Sequence, residues 1–315
     1  MGATNMDVLI LAGGLSHERE VSLRSGRRVA DALIDAGASV HVSDVDGEIL
    51  GLIDSLRPDV VWPLLHGATG EDGSLRDLLE LLGVPAVGSD AAASRLAWSK
   101  PVSKSLLARE GISTPASVSL PQAVFREVGA RAVLERVVER LGLPLVVKPA
   151  KGGSALGVSV VHEAASLPQA MVTCFSYGDV ALIERYVTGV EVAVSVVDLG
   201  DGPQALPAVE IVVDDGPNDY DARYTTGRTE FFAPARLSAE AAREAGRVAV
   251  TAHRSLGLRG LSRTDLILDD AGTAWFIDVN SAPGMTETSL FPLAAETAGY
   301  RLPELYLRMA RAAHP

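Results

Sequence analysis

The chain has 315 residues and a single cysteine, Cys174. One thiol excludes an internal disulfide and fits a reducing compartment. Basic residues are also short: 28 Lys and Arg stand against 40 Asp and Glu, a net charge of −12. A nucleic-acid binder would present a basic surface, so that class is set aside. The balance does not exclude a phosphate ligand, which answers to local charge. Residues 1–5 are uncharged, and the only early apolar run, 8–12, is far too short to span a membrane. We therefore expect no secretory leader, no membrane span and a cytoplasmic protein. Low-complexity tracts and internal repeats are absent. Two nucleotide signatures are missing as well. Gly13-Gly14 lacks the G-x-G-x-x-G spacing of a dinucleotide fold, and the glycine-rich stretch 152–157 lacks the G-x-x-x-x-G-K-[ST] of a Walker A loop.

What remains is an ordinary globular composition, 47% hydrophobic and 22% charged, over a length that suits two or three domains. The first third alternates strands (8–11, 39–42, 60–65) with helices (21–36, 75–82), which predicts parallel strands with crossover helices. Ligands in such sheets bind beyond the carboxyl ends of the strands. Residues 16–20 and 66–73 are polar clusters at those ends. Within them, Glu18 could hold an ammonium or simply favour a helix N-terminus, and His66 could be no more than a loop hydrogen-bonder. Residues 91–110 read as one helix. Strand 145–149 brings Lys148 to its end, and the loop 152–157 then leads into strand 158–161. Glycines there can offer backbone N–H groups to phosphate. Glu184 ends strand 181–186 and Glu191 opens the next. Residues 214–228 form a polar stretch with no period, containing Tyr220, Arg223 and Tyr224, which is the character of a lid.

The densest chemistry lies in 263–289, RTDLILDDAGTAWFIDVNSAPGMTETS. Two strands flank the turn 269–272, and side chains two apart share a face. Arg263 and Asp265 lie together on the first strand, and Asp278 and Asn280 on the second. Leu266, Leu268, Trp275, Ile277 and Val279 are expected on the opposite, buried face. Two carboxylates and an amide oxygen suit Mg²⁺ shared with phosphates, and a nearby arginine can stabilise developing negative charge.

Taken in order, these pieces resemble the D-alanine–D-alanine ligases of the ATP-grasp superfamily over nearly the whole chain. The resemblance rests on Gly13-Gly14, Glu18 and Glu20-Val21-Ser22, then His66-Gly67 with Gly70-Glu71-Asp72-Gly73. It continues through Val147-Lys148-Pro149 with Gly153-Ser154, Tyr220 and Tyr224, Arg263-x-Asp265, Asp278-Val279-Asn280, and Pro283-Gly284-Met285-Thr286 with Ser289. It implies an α/β chain with α+β character in the C-terminal part. That is an ATP-grasp fold preceded by a parallel-sheet, Rossmann-like domain, divided at 1–98, 99–186 and 187–315. It implies ATP and two Mg²⁺ (or Mn²⁺), D-alanine as substrate, and a homodimer. The reaction implied is ligation of two D-alanines through an acyl phosphate, for peptidoglycan precursors.

By the same resemblance, Lys100, Lys148 and Arg223 contact phosphates, and Glu184 and Glu191 contact adenine and ribose. Asp265, Asp278 and Asn280 hold metal, and Glu18 holds the first ammonium in a network with Ser154 and Tyr224. Arg263 and Gly284 stabilise an oxyanion, Ser289 binds the second carboxylate, and His66 and Leu290 make further substrate contacts. The chain departs from the family's usual residues twice, with Asp278 for glutamate and Arg223 for lysine. Related ligases with another second substrate, and a non-catalytic ATP binder, remain as alternatives; Tyr224 favours the dipeptide.

Overall fold

The computed structural model describes residues 6–213 and 229–313. The expected lid, 214–228, with Tyr220, Arg223 and Tyr224, lies outside the described residues.

Strand β1 (Asp7–Leu11) is buried from Val8 to Leu11, the unbroken apolar run of a strand covered on both faces. Helices α1 (Arg19–Asp35) and α2 (Ile49–Leu56) carry the chain to β2 (Ser39–Ser43) and β3 (Val60–Pro63). The order is β2-β1-β3, all parallel, as the alternation predicted. There follow α3 (Ala68–Glu71), α4 (Ser74–Leu81), α5 (Ala91–Trp98) and α6 (Lys100–Arg109). The single helix expected over 91–110 is thus two. Ser99 is extended (φ −95°, ψ 96°) and bridges Lys151, while the Lys100 N–H donates to the Ala150 carbonyl at 3.0 Å. Pro101 has no N–H to continue a helix through this point. The break brings Lys100 against the glycine-rich loop.

Strand β4 (Ser117–Pro121), α7 (Ala130–Leu141), β5 (Leu145–Pro149), β6 (Ser159–Val161), α8 (Leu167–Phe175) and β7 (Val180–Arg185) form the next layer. Its sheet is antiparallel, in the order β4-β7-β5-β6. Leu134, Val137 and Met171 from the helices pack on Leu145, Val147 and Ile183. The third sheet takes β8 (Val190–Val197), β9 (Gln204–Ala205), β10 (Val209–Val213) and β11 (Thr229–Phe232). After α9 (Ala239–Ser255) it is completed by β12 (Leu261–Leu268) and β13 (Ala274–Asn280). Its main path runs β11-β10-β8-β12-β13. The Ser238 hydroxyl caps α9 by accepting the Ala241 N–H. Ala245, Val248, Ala249 and Ala252 give that helix one buried stripe at a spacing of three and four. Finally α10 (Leu290–Thr297) and α11 (Leu302–Ala313) return to the first sheet. There Phe291, Tyr306 and Met309 share a core with Val8, Ile10 and Trp62, and the Trp62 and Tyr306 rings meet edge-on at 5.5 Å.

The hairpin of β12 and β13 turns at 269–272, where the Asp269 carboxylate accepts the Ala271 and Thr273 N–H groups. Arg263 pairs with Asn280 and Asp265 with Asp278, but Leu266 pairs with Phe276. Ile277 is the extra residue of a β-bulge, and one inserted residue reverses which face its neighbours occupy. The expectation for the second strand is corrected accordingly. Val279 is buried as expected, but before the bulge the buried residues are Phe276 and Ala274, and Trp275 and Ile277 are only half-buried. The Phe276 N–H leaves the ladder and donates to the Ser113 carbonyl at 2.8 Å. Among the described residues no helix is long and apolar enough to cross a membrane.

A Cβ added at Gly70 in α3 would lie 2.1 Å from the Leu65 carbonyl oxygen, whereas at Gly51 in α2 it would meet open space. Gly70→Ala should therefore lose about 1–3 kcal/mol to overpacking. Gly51→Ala should gain about 0.5–1 kcal/mol from helix propensity. Urea unfolding of the two variants checks the contrast, and equal midpoints would contradict it.

Candidate active site

Residues of both antiparallel sheets line a cavity of about 590 Å³. β5 contributes Lys148, β7 Glu184 and β8 Glu191. β12 and β13 contribute Arg263, Asp265, Asp278 and Asn280, while Lys100 and Ser154 enter from the rim. Nine of the expected residues thus face one space. A second cavity of about 700 Å³ shares Lys151, Gly152 and Gly153 with the first and is lined on its far side by Glu18 and Gly67. The glycine-rich loop is the wall between them.

Opposite charges pair across these walls. Arg263 grips Asp265 with two hydrogen bonds, at 2.7 and 2.8 Å. Lys100 stands 3.1 Å from Asp278 and also donates to the Gly152 carbonyl of the loop. Glu184 holds two ammonium groups, Lys148 and Lys104, each at 2.5 Å. Burial works against the Glu184 charge, but the two lysines outweigh it and hold the carboxyl below the usual range. Asp265 and Asp278 lie opposite each other on adjacent strands, and Asn280 is two pairs further along, on the same face as Asp278. These are hard oxygen donors of the kind Mg²⁺ takes when phosphate supplies the rest. Among the described residues no three His, Cys, Asp or Glu gather, so an ion here would depend on ligand oxygens. The donor set fits a metal brought with a nucleotide.

At the other cavity Glu18 is buried at the start of α1, and the Ser154 hydroxyl donates to its carboxylate. Ser154 and Ala155 both sit in the left-handed region, at φ 52° and 56°, and that turn of the loop aims Ser154 at Glu18. Gly67 (φ 78°) must be glycine, because a Cβ there would come 2.9 Å from Ser16 and 3.4 Å from the Glu18 carboxylate. Burial raises the Glu18 carboxyl, against the pull of the Ser154 hydroxyl and of Arg263.

His66, Gly284, Ser289 and Leu290 line neither cavity. His66 is buried, its ring 3.4 Å from the Ser25 hydroxyl, and burial lowers it to about 4, so it is neutral near pH 7. That hydroxyl also accepts the Met285 N–H, and Arg28 donates to the Thr286 carbonyl. Helix α1 therefore fixes the loop 283–289. Within the loop the Ser289 hydroxyl accepts the Thr286 N–H at 2.9 Å, and a Cβ at Gly284 would lie 2.8 Å from it. Leu290 opens α10 just beyond Ser289.

Two residues of this region carried no assignment from sequence. Lys104 shows nothing but helical spacing from Lys100. Glu71 sits in a helix too short to display a period, yet it is buried and accepts the Gly67 N–H at 3.1 Å. Burial first, then the nearby Glu18 charge, push its carboxyl up to about 8. In the unfolded chain this carboxyl gives up its proton near 4.5, while the fold retains it to about 8. Stability must then fall as pH rises through that window. Glu71→Gln, which cannot ionise, should lose distinctly less stability than the wild type between about pH 5 and pH 8. Urea unfolding at both values reads this, the slope common to both proteins including the opposing contributions of Glu18 and of the buried His66 and His253; parallel slopes would refute it.

The family model for the D-ala D-ala ligase C-terminus matches residues 106–310. A D-alanine–D-alanine ligase of Bordetella avium is 40% identical over 94% of this chain and 91% of its own length. One of Pelotomaculum thermopropionicum is 38% identical over 98% and 96%. Among solved structures, the VanG D-Ala:D-Ser ligase of Enterococcus faecalis superposes with a TM-score of 0.85, at 27% identity, covering 98% of this chain and all of that one. The Bacillus anthracis D-alanine–D-alanine ligase complexed with ATP gives 0.82, also at 27% identity, over 98% and 97%. With these matches and the paired charges at the seam of two antiparallel sheets, the chain belongs to the D-alanine–D-alanine ligase family.

Proposed function

We infer that the chain joins two D-alanine molecules with ATP, giving D-alanyl-D-alanine, ADP and phosphate for peptidoglycan precursor synthesis. The observation that carries this is the single cavity in which Lys100, Lys148 and Arg263 stand beside Asp265, Asp278 and Asn280, in a chain of this family. The division at 1–98, 99–186 and 187–315 belongs to the same reading; each sheet draws its strands from one of these spans. A homodimer in solution is part of it too, on the family relationship.

Phosphoryl transfer asks a protein for position and charge neutralisation rather than a covalent group. ATP lies between the two antiparallel sheets, its phosphates against Lys100 and Lys148, its adenosine toward Glu184 and Glu191. Asp265, Asp278 and Asn280 would hold Mg²⁺ or Mn²⁺, which when bound supplies further neutralisation of phosphate charge. Glu18 receives the ammonium of the first D-alanine, oriented by Ser154. That D-alanine's carboxylate attacks the γ-phosphorus, the bond to ADP breaks, and an acyl phosphate results. The amine of the second D-alanine, its carboxylate at Ser289, attacks the acyl carbon. Arg263 and the Gly284 N–H stabilise the oxyanion. Phosphate then departs and the amine loses its proton, leaving the amide. Arg223 and Tyr224, outside the described residues, are assigned to the phosphates and to the Glu18 network on the family resemblance.

The test is ADP release with ATP and Mg²⁺ across D-alanine, L-alanine, D-serine and D-lactate plus D-alanine, with products read by mass spectrometry. One D-alanyl-D-alanine per ADP is expected; turnover only with another partner would replace this reading. A variant measures the one departure in the metal set. Asp278 already meets Lys100 at 3.1 Å, so Asp278→Glu adds a methylene without removing a donor. It should keep or raise kcat and lower the Mg²⁺ needed for half-maximal rate. An inactive variant that no longer responds to Mg²⁺ would show that the shorter side chain is required.

A further inference from the structure

Lys104 lies one helical turn beyond Lys100 on α6, with its side chain 4% exposed. It does not line the cavity: Glu184 stands in the cavity wall and Lys104 meets that carboxylate without sharing the wall. Lys148 reaches the other oxygen of the same carboxylate from the cavity side. Glu184 is 3% and Lys148 6% exposed, so three charges are withdrawn from water together. Two are positive and one is negative, which leaves one positive charge in excess. Lys148 is the member placed to present that excess to a ligand. Its ammonium also lies 3.5 Å from the carbonyl of Ile277, the bulge residue on the facing sheet.

The consequence appears when Lys148 is asked to bind phosphate. With one lysine only, Glu184 and Lys148 would be a closed pair. Drawing Lys148 away would strand a buried carboxylate, which is strongly unfavourable. With Lys104 behind it, Glu184 keeps a counter-ion wherever Lys148 points. We propose that Lys104 is a positioning residue for ATP, the standing counter-ion of Glu184 that frees Lys148 for the phosphates. The inference rests on the assignment of Lys148 to phosphate in the function given above. Burial lowers the Lys104 ammonium, and the Glu184 charge opposes that loss, with a smaller contribution from Asp278.

A space-filling role for Lys104 predicts a different pattern from a counter-ion role, and steady-state kinetics on the full-length chain separates them. Lys104→Met should raise KM for ATP on the order of tenfold, with KM for D-alanine unchanged. Lys104→Arg, which keeps the charge, should restore KM for ATP to within about threefold of wild type. Once Glu184 is neutral, Lys104 has no task. Lys104→Met/Glu184→Gln should then bind ATP at least as well as Glu184→Gln alone. This comparison stands even where Lys104→Met itself folds poorly, because neither of its members leaves a carboxylate without a partner. An unchanged KM for ATP in Lys104→Met, or a tenfold deficit of the double variant against Glu184→Gln, overturns the proposal. Lys148→Met run alongside separates the two levels. If it leaves KM for ATP unchanged, the phosphate assignment of Lys148 falls and takes this inference with it.

Discussion

Charge burial matched by opposite charge is the constraint on which this structure depends. The seam between the two antiparallel sheets holds Glu184 and Asp265 away from bulk water and Asp278 partly so, and each meets a cation: two lysines, an arginine and a lysine. An unmatched carboxylate here would oppose folding. The arrangement is self-consistent without ligand and also suited to a polyanion, since two of the cations that satisfy the carboxylates, Lys100 and Lys148, are the ones a triphosphate would recruit. Preorganisation of this kind avoids reordering dipoles at the moment of reaction. The sheets, the helix break at Ser99 and the bulge at Ile277 all serve to hold these side chains within reach of each other.

Much of the fold was legible because hydrophobic pattern and chain direction are local properties. The unbroken apolar run of β1, the alternation of helices and strands before residue 83, and the turn at 269–272 each announce themselves in a few residues. The two misread features are those decided by a distant partner. Ser99 is extended because Lys151 pairs with it, and nothing in 91–110 other than Pro101 hints at that. The bulge at Ile277 reverses the faces of Trp275 and Phe276. A strand read by strict alternation has no means of showing an inserted residue, since Trp275, Phe276 and Ile277 are all apolar and either set could face the core.

The site divides in the same way. Arg263, Asp265, Asp278 and Asn280 were legible because they repeat every second residue in two strands joined by a short turn. Lys148 and the glycine loop were legible for a similar reason. Glu71 and Lys104 were not, because their importance lies in what surrounds them. A glutamate in a four-residue helix and a lysine on an amphipathic one look like solvated charges until burial is known. His66 and Ser289 fall between the two cases. Their loops stood out, but their contacts run to α1, through Ser25 for His66 and through Arg28 to the carbonyl of Thr286 beside Ser289, and spacing along the chain cannot show such contacts.

Helices α10 and α11 close the core that β1 and β3 open. This orders events during synthesis. The parallel sheet is made before both antiparallel layers, yet one of its faces has only Val29, Ala30 and Leu33 of α1 as cover until Phe291, Tyr306 and Met309 have been made. Throughout translation of both antiparallel layers, Val8, Ile10 and Trp62 wait with that face unfinished. The nascent chain is thus exposed to mispairing and to chaperone capture at its oldest segment. The loop 283–289, carried into place by the same helices and pinned by Ser25 and Arg28, is set only at that final step. Placement of this loop and completion of the first core are one event.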